Sequence, residues 1–106
     1  MIGPRAVEAI RSYRAGIAFL GVPAIDRRHG FTADSDAEAA TDAAFIEMAR
    51  RTVVLADHTK LGRVSTTHVV PLEQINTVVT DTGAATAATD ELSAGGTHVV
   101  VAELVP

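Results

Sequence analysis

The chain contains no cysteine and no tryptophan, and only one tyrosine and three phenylalanines among its 106 residues. Without cysteine there is no disulfide, no thiolate metal ligand and no thiol nucleophile, so a reducing compartment is the expected setting. With aromatics so scarce, the core has to be built from Ala, Val, Ile and Leu. An excess of positive charge is also missing. The formal net charge is -4, and cations are doubled only at Arg27-Arg28 and Arg50-Arg51. Tracking duplex phosphates takes a stripe of several cations, so those pairs read as solvated surface and no direct nucleic-acid contact is expected of this segment. Long apolar runs are absent too, none approaching the roughly 20 residues that span a bilayer. Arg5, Glu8, Arg11 and Arg14 interrupt the first turns in a way that no signal-peptide core tolerates, so the expectation is a cytoplasmic protein without a membrane partner. No G-x-G-x-x-G or Walker-type glycine loop occurs, which removes the usual sequence support for dinucleotide or nucleoside triphosphate binding. The length predicts one domain, short for a complete α/β fold.

What is present is a repeated pattern of β-branched run followed by acid: Thr52 to Gly62, TVVLADHTKLG, and Thr77 to Gly83, TVVTDTG. An uninterrupted run of this kind is what a strand covered on both faces looks like. An Asp at its end projects past the carboxyl edge of the sheet, where ligands bind in open α/β folds.

The surrounding pattern supports that reading. Gly3-Pro4 opens a helix, Pro being harmless in a first turn, with Ala6, Val7, Ile10 and Tyr13 on one face. Ile17 to Gly21 is a short strand, and Val22 to Asp34 is a loop punctuated by Pro23 and Gly30. Ser35 and Glu38 form a capping box that starts a helix running to about Arg51. Val53 to Ala56 is the next strand and Asp57 to Arg63 a polar loop. Val64 to Pro71 reads either as an edge strand or as an extended connection, and Pro71 begins a helical turn through Leu72 and Ile75. Thr77 to Thr80 is a strand, Ala85 to Ala94 a helix closed by Gly95-Gly96, and His98 to Leu104 a final strand. Alternation of strand and helix predicts an α/β fold, a parallel sheet with helices on both faces.

In such a sheet Gly21, Asp57 and Asp81 converge at one edge. Asp57-x-x-Lys60 adds a cation, a point charge suited to a phosphate, beside an acid that can accept from a sugar hydroxyl. The bland alternative is that Asp57 caps the following turn, Lys60 is a surface charge, and Asp81-Thr82-Gly83 makes a turn. The four histidines, His29, His58, His68 and His98, include no i,i+4 pair and no neighbouring acid at ligand spacing, so no metal site is predicted. His58 is kept as a possible ligand contact. Asp34-Ser35-Asp36 with Glu38 suits helix capping better than a calcium loop, because the required glycine and distal Glu are missing. Ser65, Thr66 and Thr67 lie near His68, yet nothing orients that histidine for a hydrolase triad. A phosphoacceptor receiver is also excluded: no acid pair follows Phe19-Leu20-Gly21, and the last strand ends Ala102-Glu103-Leu104 without the required Lys.

The strings FLGVPAID, HGFT, VVLADHTKLGR and PLEQINTVVTDTG together resemble the C-terminal effector-sensing domain of the DeoR family of bacterial transcriptional repressors, over about Gly3 to Val101. The Asp57-x-x-Lys60 and Ile75 to Gly83 segments carry most of the likeness. The resemblance implies a ribose-5-phosphate isomerase or CoA-transferase-like fold, and a regulator that responds to a phosphorylated sugar or related metabolite. It implies no cofactor and no catalytic residue, with DNA bound through a separate N-terminal helix-turn-helix domain. The implied effector-binding residues are Lys60, Asp57, Gly21 and Thr32. The chain departs from the family in lacking the first part of the sensor domain with its Gly-Thr-Thr type loop, so it is expected to be a partial domain, truncated at its N-terminus. Gly16 stands where many members have an acid, and Ala24 where they tend to have glycine. The alternative, a sugar-phosphate isomerase or deaminase-like enzyme, meets a specific obstacle. The isomerase catalytic loop has the form Asp-Gly-Ala-Asp-Glu, and Leu20-Gly21-Val22-Pro23-Ala24 stands in its place without the acids. An incomplete sheet further predicts uncovered apolar surface and a homo-oligomer that buries it.

Overall fold

Two sheets of opposite character organise the chain. The computed structural model describes residues 3–103. The first sheet has four strands in the order β1 (Ala15–Gly21), β4 (Ala49–Leu55), β6 (Thr77–Asp81) and β7 (His98–Ala102), with every neighbouring pair parallel. The second is a small antiparallel sheet of β2 (Ala24–Asp26), β3 (Gly30–Ala33) and β5 (Thr67–Val70). Helices α1 (Pro4–Arg11), α2 (Asp36–Met48) and α3 (Thr86–Ala94) and the 3-10 turns His58–Lys60 and Leu72–Gln74 complete the fold. The α/β class and the parallel sheet read from the sequence are both present.

The helix starts follow local chemistry. Pro4 occupies the first turn of α1, and the Ser35 hydroxyl accepts from the Glu38 N–H at 3.2 Å to cap α2. Tyr13 falls outside the predicted apolar stripe because α1 ends at Arg11, leaving the ring 67% exposed. α2 also ends earlier than Arg51. Ala49, Arg50 and Arg51 extend instead as the start of β4, where Ala49 and Arg51 pair with Ala15 and Ile17. Backbone bonding to β1 outweighs the helical preference of an Ala-Arg-Arg run. The last strand covers His98–Ala102; the predicted end at Leu104 lies outside the described residues.

The antiparallel sheet replaces most of the predicted loop at 22–34 and resolves the ambiguity at 64–71 in favour of a strand. Its strands are three or four residues long, too short for a periodic signal. Gly30 makes the sheet possible. Its φ is +69°, and a Cβ there would lie 2.3 Å from the Val70 carbonyl oxygen, so only glycine lets β3 approach β5 and Pro71 this closely.

One core joins the two sheets. Phe31 and Ile25 of the antiparallel sheet, Ile46 of α2, Leu92 of α3, and Val54 and Val78 of the parallel sheet pack in a single buried cluster. Elements on this side therefore cover one face of the parallel sheet. The register places Ile17, Phe19, Leu55, Val79 and Val100 on the other face. There Phe19 is 63% exposed, and Ile17, Leu55 and Val100 are exposed as well. The apolar runs of β4 and β6 thus do not mean burial on both faces. Burial alternates along β6, and the apolar residues of the second face meet solvent.

Candidate functional site

Parallel pairing aligns Gly21 with Leu55 and Leu55 with Val79 at the carboxyl edge of the sheet. The Ala56 N–H continues the ladder to the Val79 carbonyl at 3.0 Å, so Asp57 and Asp81 emerge side by side. Their carboxylates are already engaged. Asp57 Oδ1 accepts from the Thr59 N–H at 2.8 Å and from the Thr59 hydroxyl, capping the 3-10 turn His58–Lys60. Asp81 accepts from the His58 N–H at 3.0 Å and the Gly83 N–H at 2.8 Å, and its Oδ1 lies 2.9 Å from His58 Nδ1 as an acceptor for the ring N–H.

These bonds stabilise the ionised forms. The Thr59 hydroxyl and N–H hold Asp57 below the usual carboxylate range, and the His58 and Gly83 N–H groups do the same for Asp81. Both acids therefore stay charged and act as fixed acceptors. The Asp81 to His58 contact, like that of Asp26 to His29 at 3.2 Å, corrects the expectation that no histidine has an acid nearby at ligand spacing. His58 and Asp81 are 23 residues apart, a separation that spacing along the chain does not reveal. Asp57, His58 and Asp81 bring one donor atom each within 4.8 Å of one another, but both Asp81 oxygens are occupied by the bonds just described.

Lys60 has a different environment. It lines a cleft of about 200 Å³ with Pro23, Ala24, Asp34, Arg63, Val64 and Ser65. Gly21 lies two residues before the Pro23-Ala24 wall of that cleft and is itself exposed. Thr32 is only 4% exposed, and its hydroxyl accepts from the Ser65 N–H at 2.8 Å. It fixes the cleft wall from behind. The structure therefore brings Lys60 to the cleft, Gly21 and Thr32 to its supports, and Asp57 to the adjoining turn.

Arg63, Asp34 and Ser65 line the cleft as well, although no motif in the sequence points to them. The Ser65 hydroxyl donates to Asp34 Oδ1 rather than serving His68, and Asp34 lies across a different segment of chain from Lys60. Only the six-residue spread from Lys60 to Ser65 would have been available as a local signal. A second cavity, of about 450 Å³, lies between the β2–β3 turn and α3, lined by Asp26, Arg27, Arg28, Gly62, Ala88, Glu91 and Leu92. Arg27 is paired there with Glu91 at 3.7 Å. Among the described residues no helix is long and apolar enough to cross a membrane.

The chain is similar in sequence to known transcriptional regulators. The chain is 31% identical over 100 residues to the HTH-type transcriptional regulator GlpR of Haloferax volcanii, covering 94% of this chain and 39% of that protein. It is 30% identical over 103 residues to the HTH-type transcriptional repressor GlcR of Bacillus subtilis, covering 97% and 40% respectively. The transcriptional repressor AccR of Agrobacterium fabrum is 32% identical over 85 residues, or 79% of this chain and 33% of that protein. The chain thus spans about two fifths of the length of the first curated relatives it matches. Residues 1–82 match the family described as the DeoR C terminal sensor domain. With that match running from α1 through the Asp57-x-x-Lys60 turn to Asp81, the chain belongs to the DeoR C-terminal sensor domain family.

Proposed function

We propose that this chain senses a phosphorylated sugar or a related metabolite at the Lys60 cleft and forms part of a non-enzymatic transcriptional regulator. The observation that carries the reading is Lys60 itself. It is a cation without an ion pair among the described residues, lining a small polar cleft at the carboxyl edge of a parallel sheet. An isomerase needs a carboxylate free to move a proton, and the segment Leu20 to Ala24 supplies none. Asp81 and one oxygen of Asp57 are engaged by the turns they hold, which supports binding over turnover. In a full regulator, effector binding would favour one of two arrangements of a DNA-binding helix-turn-helix domain carried elsewhere in the polypeptide. The names of the relatives, all transcriptional regulators or repressors, support that assignment.

The exposed face bearing Ile17, Phe19, Leu55 and Val100 supports a homo-oligomer in which a second copy covers it, since parallel sheets are ordinarily buried on both faces.

The test is an amide NMR titration of the chain against a panel of aldose and ketose phosphates, with Lys60→Gln beside the unsubstituted protein. Shifts centred on Lys60 to Ser65 and lost in the variant are expected. Saturation at a hundredfold excess over the dissociation constant should add about 2.7 kcal/mol to stability. Turnover of any sugar phosphate in the panel would replace the sensor reading by the isomerase one.

A further inference from the structure

We infer that Arg63 is a second anion-binding residue, forming with Lys60 a two-cation seat for a phosphate monoester, while Asp34 in the same cleft accepts from an adjacent hydroxyl of the same ligand. The inference rests on the sensor reading above and deepens it by naming how the ligand is held.

Four observations lead to it. First, Lys60 and Arg63 line the same cleft of about 200 Å³, and neither is in an ion pair among the described residues. Arg11 and Arg27 are paired with Glu47 and Glu91, whereas five other arginines among the described residues are unpaired as well, so the shared cleft is what sets Lys60 and Arg63 apart. Second, the segment carrying both cations is anchored. The Gly62 N–H donates to the Ile25 carbonyl at 2.8 Å, Leu61 bridges to Ile25, and Ser65 is held by the buried Thr32 hydroxyl at 2.8 Å. The side chains thus project from a backbone tied down on both sides of Arg63, which limits the ordering needed when a ligand binds.

Third, Gly62 has φ +77°, and a Cβ there would meet nothing within 4 Å. Space is therefore not what requires glycine; the left-handed conformation is, and it turns the chain between Lys60 and Arg63 so that both reach one cleft. Fourth, Asp34 receives the Ser65 hydroxyl on Oδ1, leaving its second oxygen without a hydrogen bond among the described residues. Two cations and one acid line the cleft. That arrangement suits a dianion bearing a neighbouring hydroxyl, and the planar fork of Arg63 fits the oxygens of a phosphate as Lys60 alone does not. The cleft, at about 200 Å³, is small beside drug-sized pockets of roughly 300 Å³ and more, which suits a small hydroxylated phosphate monoester.

The experiment uses the 106-residue chain with inorganic phosphate as the probe and acetate as a monoanionic comparison, read by amide NMR. Arg63→Gln and Lys60→Gln each remove one charge from the cleft, and Arg28→Gln removes one from the neighbouring cavity as the control. Phosphate should shift the amides from Lys60 to Ser65. Its affinity should fall by about tenfold or more in both cleft variants and change by less than about twofold in the control, with Arg63→Lys recovering only part of the loss. Unchanged phosphate affinity in Arg63→Gln, equal affinity for acetate, or shifts centred on Arg27 and Arg28 would overturn the inference. Loss in Lys60→Gln with Arg63→Gln intact would remove Arg63 while leaving the sensor reading in place. Loss of binding in neither variant would remove both.

Discussion

The parallel sheet has two apolar faces, and only one of them is covered. Phe31 and Phe19 illustrate the difference. Phe31 is fully buried where the antiparallel sheet meets β4 and β6, whereas Phe19 on β1 is 63% exposed. Both are apolar residues on short strands, and nothing in their immediate sequence separates them. Burial is decided by what packs above each face. On one side α2, α3 and the antiparallel sheet supply Ile46, Leu92 and Ile25; on the other the described residues supply nothing to cover Ile17, Phe19, Leu55 and Val100. A covered face stabilises the fold, and an uncovered one is a surface for association.

The contrast can be broken most severely from the buried side. Phe31→Ala should remove about 3–5 kcal/mol of stability through lost transfer energy and the cavity left behind. Urea denaturation followed by circular dichroism measures it, and a loss below about 1 kcal/mol would mean that the two sheets do not share a core.

A smaller effect is expected within the covering layer. Half-buried Asp42 on α2 has its pKa raised from 3.8 to about 6, by burial first and by the neighbouring Glu38 charge second. The folded state then holds a proton that the unfolded chain has already released, so this residue's contribution falls as pH rises from 3.8 to about 6 and stays low at neutral pH. Asp42→Asn should flatten stability across that window. It should also raise stability at pH 7 by about 1 kcal/mol once solvent screening is allowed for. Denaturant midpoints at pH 4 and pH 7 check both parts, and identical pH profiles for the two proteins would contradict them.

The smallest effect on stability belongs to the bare face. Phe19→Ser should change the unfolding free energy of the isolated chain by less than about 0.5 kcal/mol, as for other exposed positions. It should nevertheless shift the molecular mass distribution in light scattering toward monomer. A monomer mass for the unsubstituted chain across the accessible concentration range would show that this face is not a contact between copies.

Local signals recovered the elements whose chemistry is contained in a few neighbouring residues. Pro4 marks α1, the Ser35 cap marks α2, and the acids at 57 and 81 mark the ends of β4 and β6. The antiparallel sheet escaped because each of its strands depends on partners far along the chain: Phe31 pairs with Val70, and Ala33 with Thr67. The site divided in the same way. Asp57 and Lys60 were legible as a motif, whereas the bonds that commit Asp81 to His58 and Ser65 to Asp34 cross 23 and 31 residues. In the structure Asp57 caps its turn through Oδ1 and Asp81 holds His58 and Gly83, while Arg63 and Asp34 line the cleft beside Lys60.

By itself the sequence determined the α/β class, the caps and the presence of acid and lysine after a strand, because periodicity, capping and turn formation act over a few residues. Only the tertiary structure decided which face of the parallel sheet is buried, which carboxylates are already satisfied, and which cations share a cleft. Those properties are set by distances between residues that the chain separates and the fold brings together.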